Sequence, residues 1–233
     1  MIFKKRVKQA TDERGGLVVI NKPSSVVSEQ FRTIRTNIQF SMIDETIKSI
    51  VVTSAGPASG KSLISANLAA TFASGDQKVL LIDADLRKPT VHKTFKIKND
   101  NGLTNLLTDK ATGIMDVIHH SGHEGLYLIT SGAIPPNPSE LLSSNRMKSV
   151  CKEMYKNFDI VIFDMPPVLA VTDAQIMASK VDGVLFVIPK NEVTKDQVLK
   201  SKELLENVQA NVLGSILNKV DKTEDSYFYY YEN

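Results

Sequence analysis

Apolar residues recur along this chain in two rhythms. Six short segments are nearly continuous in apolar and β-branched residues: 47–54 (IKSIVVTS), 78–85 (KVLLIDAD), 126–132 (LYLITSG), 159–167 (DIVIFDMPP), 182–190 (DGVLFVIPK) and 211–218 (NVLGSILN). Such runs predict strands buried on both faces. Between them the spacing turns helical. Over 26–40, Val27, Phe31, Ile34 and Ile38 share one face. Segments 62–74, 139–157, 173–180 and 194–208 read as further helices, with shorter helical pieces around 103–109 and 113–120. Strands alternating with helices predict an α/β fold, a doubly wound, mainly parallel sheet with helices on both faces. Residues 1–24, punctuated by Gly15–Gly16 and Pro23, read as a flexible N-terminal arm. Residues 25–218 read as one domain, and 219–233 as a flexible tail rich in tyrosine.

Composition narrows the function classes. Apolar residues make up 42% of the 233, enough for a sizeable core, and the formal net charge of +2 does not suggest a nucleic-acid partner. The single cysteine, Cys151, lies in an amphipathic stretch and reads as a small buried hydrophobe; nothing asks for an oxidising compartment. No apolar run reaches the ~18–20 residues of a bilayer span. The start, MIFKKRVKQA, has charges without a following apolar segment, so it does not read as a secretory signal. Its basic cluster, Lys4, Lys5, Arg6 and Lys8, reads as a solvated arm. His119, His120 and His123 lie without zinc-site spacing and read as a solvated turn.

The chemistry begins after the first strand, in TSAGPASGKSLIS. A loop of this kind between a buried strand and a helix holds phosphates with backbone N–H groups and the positive end of the helix dipole. The candidate nucleotide-binding residues are Gly56, Ala58, Ser59, Gly60, Lys61, Ser62 and Leu63. Lys61 would reach the β/γ-phosphates and the Ser62 hydroxyl would bind Mg2+. The usual glycine five residues before Gly60 is here Ala55, Pro57 lacks an N–H, and Ala58 stands where glycine is frequent. These departures bear on the geometry of the loop.

Two later strands end in acid. LLIDADLRKP puts Asp83 and Asp85 at the C-terminal end of the second strand, and IVIFDMPP puts Asp164 at the end of another. Ligands of open α/β sheets bind beyond the carboxyl ends of the strands, so all three carboxylates can converge on one nucleotide. Mg2+ keeps several waters and needs only one or two carboxylates. Any one of the three could instead cap a helix; three together with a phosphate loop point to ATP and Mg2+.

With these motifs the chain resembles the bacterial tyrosine kinases, or BY-kinases, of capsule and exopolysaccharide systems, closest to the CpsD/CapB type. That family carries a Walker A loop, a Walker A′ strand of apolar residues then D-x-D-x-R, and a Walker B strand of apolar residues then D-x-x-P. Here these are LLIDADLR through Arg87 and VIFDMP through Pro166. The resemblance covers about residues 25–233 and implies a P-loop NTPase fold like that of MinD and ParA. It implies Lys61, Asp83 and Asp85 as catalytic residues, Asp83 accepting the tyrosine proton. It also implies Ser62, Asp164 and Asp85 at the metal, with Arg87 orienting the strand end or meeting a neighbouring subunit.

The resemblance also gives meaning to the C-terminal DSYFYYYEN. Family members phosphorylate a terminal tyrosine cluster in neighbouring subunits, which here points to Tyr227, Tyr229, Tyr230 and Tyr231. Glu29, Arg32 and Arg35 form E-x-x-R-x-x-R on the helix face opposite Val27 and Phe31, and in the family this motif packs subunits into a ring, an octamer. Further implied partners are a membrane-embedded activator of the polysaccharide co-polymerase type and a cognate tyrosine phosphatase. The implied location is the cytoplasm, at the inner face of the membrane through that activator. The competing reading is a MinD/ParA-type partitioning ATPase. Those proteins typically carry a loop lysine at the position of Gly56 and do not end in tyrosine clusters. A third reading, a scaffold that binds nucleotide without transfer, has less use for the Asp83–Asp85 pair.

Overall fold

The computed structural model describes residues 16–41 and 46–220. In chain order, α1 (Val18–Asn21) and α2 (Val26–Phe40) precede β1 (Ser49–Ser54), α3 (Lys61–Ala73) and β2 (Val79–Asp83). Then come α4 (Val91–Phe95), α5 (Leu103–Thr108), α6 (Ile114–Val117), β3 (Ile118–His120) and β4 (Leu126–Ile129). The remainder is α7 (Pro138–Ser143), α8 (Asn145–Asn157), β5 (Ile160–Asp164), α9 (Asp173–Ala178), β6 (Gly183–Pro189), α10 (Lys195–Glu206) and β7 (Val212–Asn218).

The strands form one seven-stranded sheet in the order β3-β4-β2-β5-β1-β6-β7. Every neighbouring pair is parallel except β3 with β4. Alternate residues of a strand point to opposite faces, and here both sets are buried. Val51, Ile82, Phe163 and Phe186 pack on the side of α7, α8 and α9. Ile50, Val52, Leu81 and Ile162 pack on the side of α1, α2 and α3. This is why the strands read as apolar runs rather than alternating ones. Cys151 is buried, as expected, and burial pushes its thiol up. Among the described residues no helix is long and apolar enough to cross a membrane.

Four expectations change. The folded part begins by Gly16, not at residue 25, because Leu17 is fully buried and Val19 nearly so. The Val19 N–H donates to Asn67 Oδ1, and Asn67 Nδ2 donates to the Gly16 carbonyl, which ties α1 to α3. The long helix over 139–157 is two helices, broken where Ser144 turns extended (φ −64, ψ 157) and caps α8 by accepting from the Met147 N–H at 3.1 Å. His119 and His120 belong to the edge strand β3 rather than to a turn. Finally, Arg35 does not lie on a free polar face of α2. Its Nη1 donates to the Thr71 carbonyl of α3 at 2.8 Å, whereas Glu29 and Arg32 pair with each other at the surface.

Candidate functional site

The phosphate loop runs from the end of β1 into α3. Its conformation answers the missing glycines. Ala58 sits in the left-handed region at φ 58, where glycine is the easier residue, and Gly60 follows at φ 85. At Gly60 the left-handed φ disfavours any larger residue, and a Cβ there would also have to push the Asn218 amide aside, 2.4 Å away. Gly56 meets no such constraint; its carbonyl accepts from the Ser54 hydroxyl at 2.9 Å. Ser59 is buried and its Oγ has no hydrogen-bond partner. The Leu63 side chain turns toward Gly16.

The far side of the loop is clamped by residues that sequence reasoning missed. Asn218 Nδ2, at the end of β7, donates to the Ser59 carbonyl at 2.8 Å. Lys219 Nζ donates to the Ala58 carbonyl at 2.9 Å and pairs with Glu192 at 2.8 Å. Lys219 is therefore anchored to the domain and belongs with it rather than with the tail expected to begin at 219. The tyrosines of 221–233 and the basic cluster of 1–15 lie outside the described residues.

Strand order brings the acids to the loop. β2, β5 and β1 are consecutive in the sheet, and Asp83 stands beside Asp164 in the register of β2 and β5. Lys61 Nζ lies 3.0 Å from Asp85 Oδ2 and 3.6 Å from Asp164 Oδ1. Ser65 Oγ, one turn further along α3, donates to Asp164 Oδ1 at 3.2 Å. Asp83 Oδ2 accepts from the Thr90 and Val91 N–H groups, both at 2.9 Å. Asp85 Oδ1 accepts from the Lys88 N–H at 3.0 Å. Thus Lys61, Ser62, Asp83, Asp85 and Asp164, drawn from separate motifs, meet at one place.

That place carries more negative than positive charge. Burial, then the neighbouring Asp164, lifts the Asp83 carboxyl to about 7. Burial likewise pushes Asp164 up, against the pull of Lys61 and the Ser62 hydroxyl. For Lys61, burial is the largest single influence and lowers it, but Asp164 and Asp85 together outweigh it and hold the ammonium above its ordinary value. Asp83 Oδ1 and Asp164 Oδ2 are buried without a hydrogen-bond partner. Such atoms are rare in native proteins and fit a cation and its waters. The described residues hold no preformed cage of three metal-ligating side chains.

Arg87 completes the strand end. Its Nε and Nη2 grip the fully buried Asp173 at 2.9 and 3.1 Å, and Ser139 Oγ donates to the same carboxylate at 2.6 Å. Of the two roles expected for Arg87, the structure displays the first: it fixes the segment after β2 to α9 and α7. Asp173 carried no motif and could not be found from sequence.

A phosphate loop and acidic strand ends on a parallel sheet define a P-loop nucleotide-binding protein. A family model described as an AAA domain matches residues 47–219. The chain is 46% identical to tyrosine-protein kinase YwqD of Bacillus subtilis (strain 168), over 92% of this chain and 90% of that protein. It is 43% identical to the putative tyrosine-protein kinase CapB of Staphylococcus aureus, over 93% and 96%. The solved kinase domain of the Escherichia coli tyrosine kinase ETK superposes with a TM-score of 0.84 at 38% identity, over 88% of this chain and 80% of that one. The chain belongs to the bacterial tyrosine-protein kinases. It is a protein-tyrosine kinase that uses ATP with Mg2+, and the partitioning-ATPase reading is set aside.

Proposed function

We propose that this kinase transfers the γ-phosphoryl group of ATP to Tyr227, Tyr229, Tyr230 and Tyr231 of a neighbouring copy, as a switch in capsule or exopolysaccharide synthesis. The observation that supports it most is the convergence of Lys61, Asp85 and Asp164 within 3.6 Å, in a chain with tyrosines at 227, 229, 230 and 231.

Phosphoryl transfer needs positioning and charge neutralisation more than covalent help from the protein. When bound, Mg2+ offsets charge on the β- and γ-phosphates. The backbone from Gly56 through Leu63, with Ala58, Ser59 and Gly60 at its centre, cradles the phosphates. Lys61 leaves Asp85 for the β/γ-phosphates. The Ser62 hydroxyl and Asp164 would hold the metal, and Asp85, once released from Lys61, would stand beside it as an acceptor for water. Asp83 takes the phenol proton. A phenol ordinarily titrates near pKa ~10, so its proton must be taken as the phosphoryl group is transferred, and Asp83, beside Asp164 at the end of β2, is placed to accept it.

Glu29, exposed, and Arg32, half-buried, form the contact between subunits of a ring from α2, with Arg35 bracing the helix from within. The ring is an octamer on the family pattern. The kinase works in the cytoplasm at the inner face of the membrane, recruited by a membrane-embedded activator, and a cognate tyrosine phosphatase resets it. The test is incubation with ATP and Mg2+ followed by mass spectrometry. Phosphate on the four C-terminal tyrosines is expected. Hydrolysis of ATP with no phosphotyrosine on the chain would overturn the reading.

A further inference from the structure

The phosphate loop is held from outside by the last residues of the sheet. β7 ends at Asn218, where the Lys190 N–H of the turn after β6 donates to the Asn218 carbonyl at 2.8 Å. From this joint two side chains reach back to the loop. Asn218 Nδ2 donates to the Ser59 carbonyl at 2.8 Å, and Lys219 Nζ donates to the Ala58 carbonyl at 2.9 Å. Glu192 accepts from the same ammonium through both carboxylate oxygens, each at 2.8 Å. Ala58 and Lys219 both sit in the left-handed region at φ 58, a conformation that alanine and lysine keep only where the surroundings fix it.

Holding a carbonyl also sets the N–H of the next residue. A peptide group is planar, and in the trans form its C=O and N–H point in opposite directions; no cis peptide occurs among the described residues. With the Ala58 carbonyl drawn to Lys219, the Ser59 N–H is turned away from β7. With the Ser59 carbonyl drawn to Asn218, the Gly60 N–H is turned the same way. Among the described residues neither N–H donates to a protein acceptor, although Ser59 is buried. Successive backbone N–H groups turned to one side make a hollow for an anion. A loop already fixed in that shape loses little freedom when the anion arrives.

We propose that Asn218 and Lys219 are positioning residues for phosphoryl transfer: they aim the Ser59 and Gly60 N–H groups at the phosphates of ATP, with Glu192 holding Lys219 for the task. Each acts through the carbonyl it holds rather than by contact with the nucleotide. The proposal rests on the reading of residues 56–63 as the phosphate loop.

The test uses the full-length kinase with Mg2+ and measures two affinities by competition against a fluorescent ADP analogue. One is for ADP; the other is for inorganic pyrophosphate, which carries phosphates without a base. Lys219→Met keeps the apolar stem and removes the donor, so it should weaken both ligands by the same factor, about 2- to 10-fold, the worth of one hydrogen bond. Asn218→Asp keeps the shape but sets an acceptor against the Ser59 carbonyl, and should weaken both by more than about 10-fold. Lys219→Arg retains a donor and should recover most of the loss. Lys219 is exposed, so the Tm of nucleotide-free Lys219→Met should stay within about 2 °C of the wild type, which separates positioning from a general loss of structure. Unchanged affinities in Lys219→Met and Asn218→Asp would overturn the brace. A loss for ADP with pyrophosphate binding intact would also overturn it, because the two residues would then act on the base. If the wild type binds no pyrophosphate, the phosphate-loop reading itself falls and the brace with it.

Discussion

Replacing Lys61 with methionine is expected to cost stability before it costs catalysis, and the cost should depend on pH. The side chain is almost buried and lies 3.0 Å from Asp85 and 3.6 Å from Asp164. Its removal strands two buried carboxylates, and breaking a buried pair from one side typically costs ~3–5 kcal/mol. The protein can limit the loss by protonating one of them. From the ordinary aspartate value of 3.8, that protonation costs about 4 kcal/mol at pH 7 but only about 1.6 kcal/mol at pH 5. The sign follows: a carboxyl raised in the folded variant destabilises it increasingly as pH climbs above the unfolded value. We expect a deficit of about 3–4 kcal/mol at pH 7, shrinking to about 1–2 kcal/mol at pH 5. Urea unfolding of the nucleotide-free protein, followed by circular dichroism because the chain has no tryptophan, measures it. Adding Asp85→Asn should recover part of the deficit at pH 7. A loss below about 1 kcal/mol, or one that is the same at both pH values, would refute the picture of Lys61 as counter-ion to the two acids.

Four further outcomes follow from the geometry. Arg87→Ala leaves Asp173 buried with only Ser139, so stability should fall by about 3 kcal/mol, and Arg87→Lys should restore less than half because an ammonium cannot make the two-point grip; thermal unfolding of both variants decides. Ala58→Gly removes a left-handed penalty of ~1–2 kcal/mol at a backbone-entropy cost of ~0.4–1 kcal/mol, so Tm should rise by about 1–3 °C, and a fall would contradict the conformation of this loop. Glu29→Ala with Arg32→Ala should leave Tm within about 1–2 °C while reducing oligomers seen by light scattering. Arg35→Ala should lower the Tm of the monomer itself, since it removes the bond to the Thr71 carbonyl.

The sequence showed most where side-chain burial is two-sided or where a motif repeats a fixed chemistry. β1, β2, β5 and β6 are fully or almost fully buried and read as apolar runs. The meeting of Lys61 with Asp85 and Asp164 followed from placing three motifs at strand ends. What stayed hidden depends on long-range partners. Leu17 and Val19 look like part of an arm until Asn67 of α3 takes the Val19 N–H and the Gly16 carbonyl. β3 has three residues and exists only because β4 pairs with it. Ser144 carried an N-cap residue type, but the apolar spacing continued across it. Asp173 and Asn218 are ordinary polar residues in sequence; only the fold sets one against Arg87 and the other against Ser59. Arg35 fits a charged-face pattern, and only the packing of α2 on α3 shows that its guanidinium points inward.

The central claim is transfer of phosphate between chains, and mixing two variants tests it most directly. One carries Tyr227→Phe, Tyr229→Phe, Tyr230→Phe and Tyr231→Phe and keeps its phosphate loop; the other carries Lys61→Met and keeps its tyrosines. With ATP and Mg2+, mass spectrometry should find phosphate on the C-terminal tyrosines of the Lys61→Met chains, at a rate that rises with the concentration of the partner. If those tyrosines stay unlabelled while wild-type chains label themselves at a rate independent of concentration, transfer is within one chain and the account is contradicted.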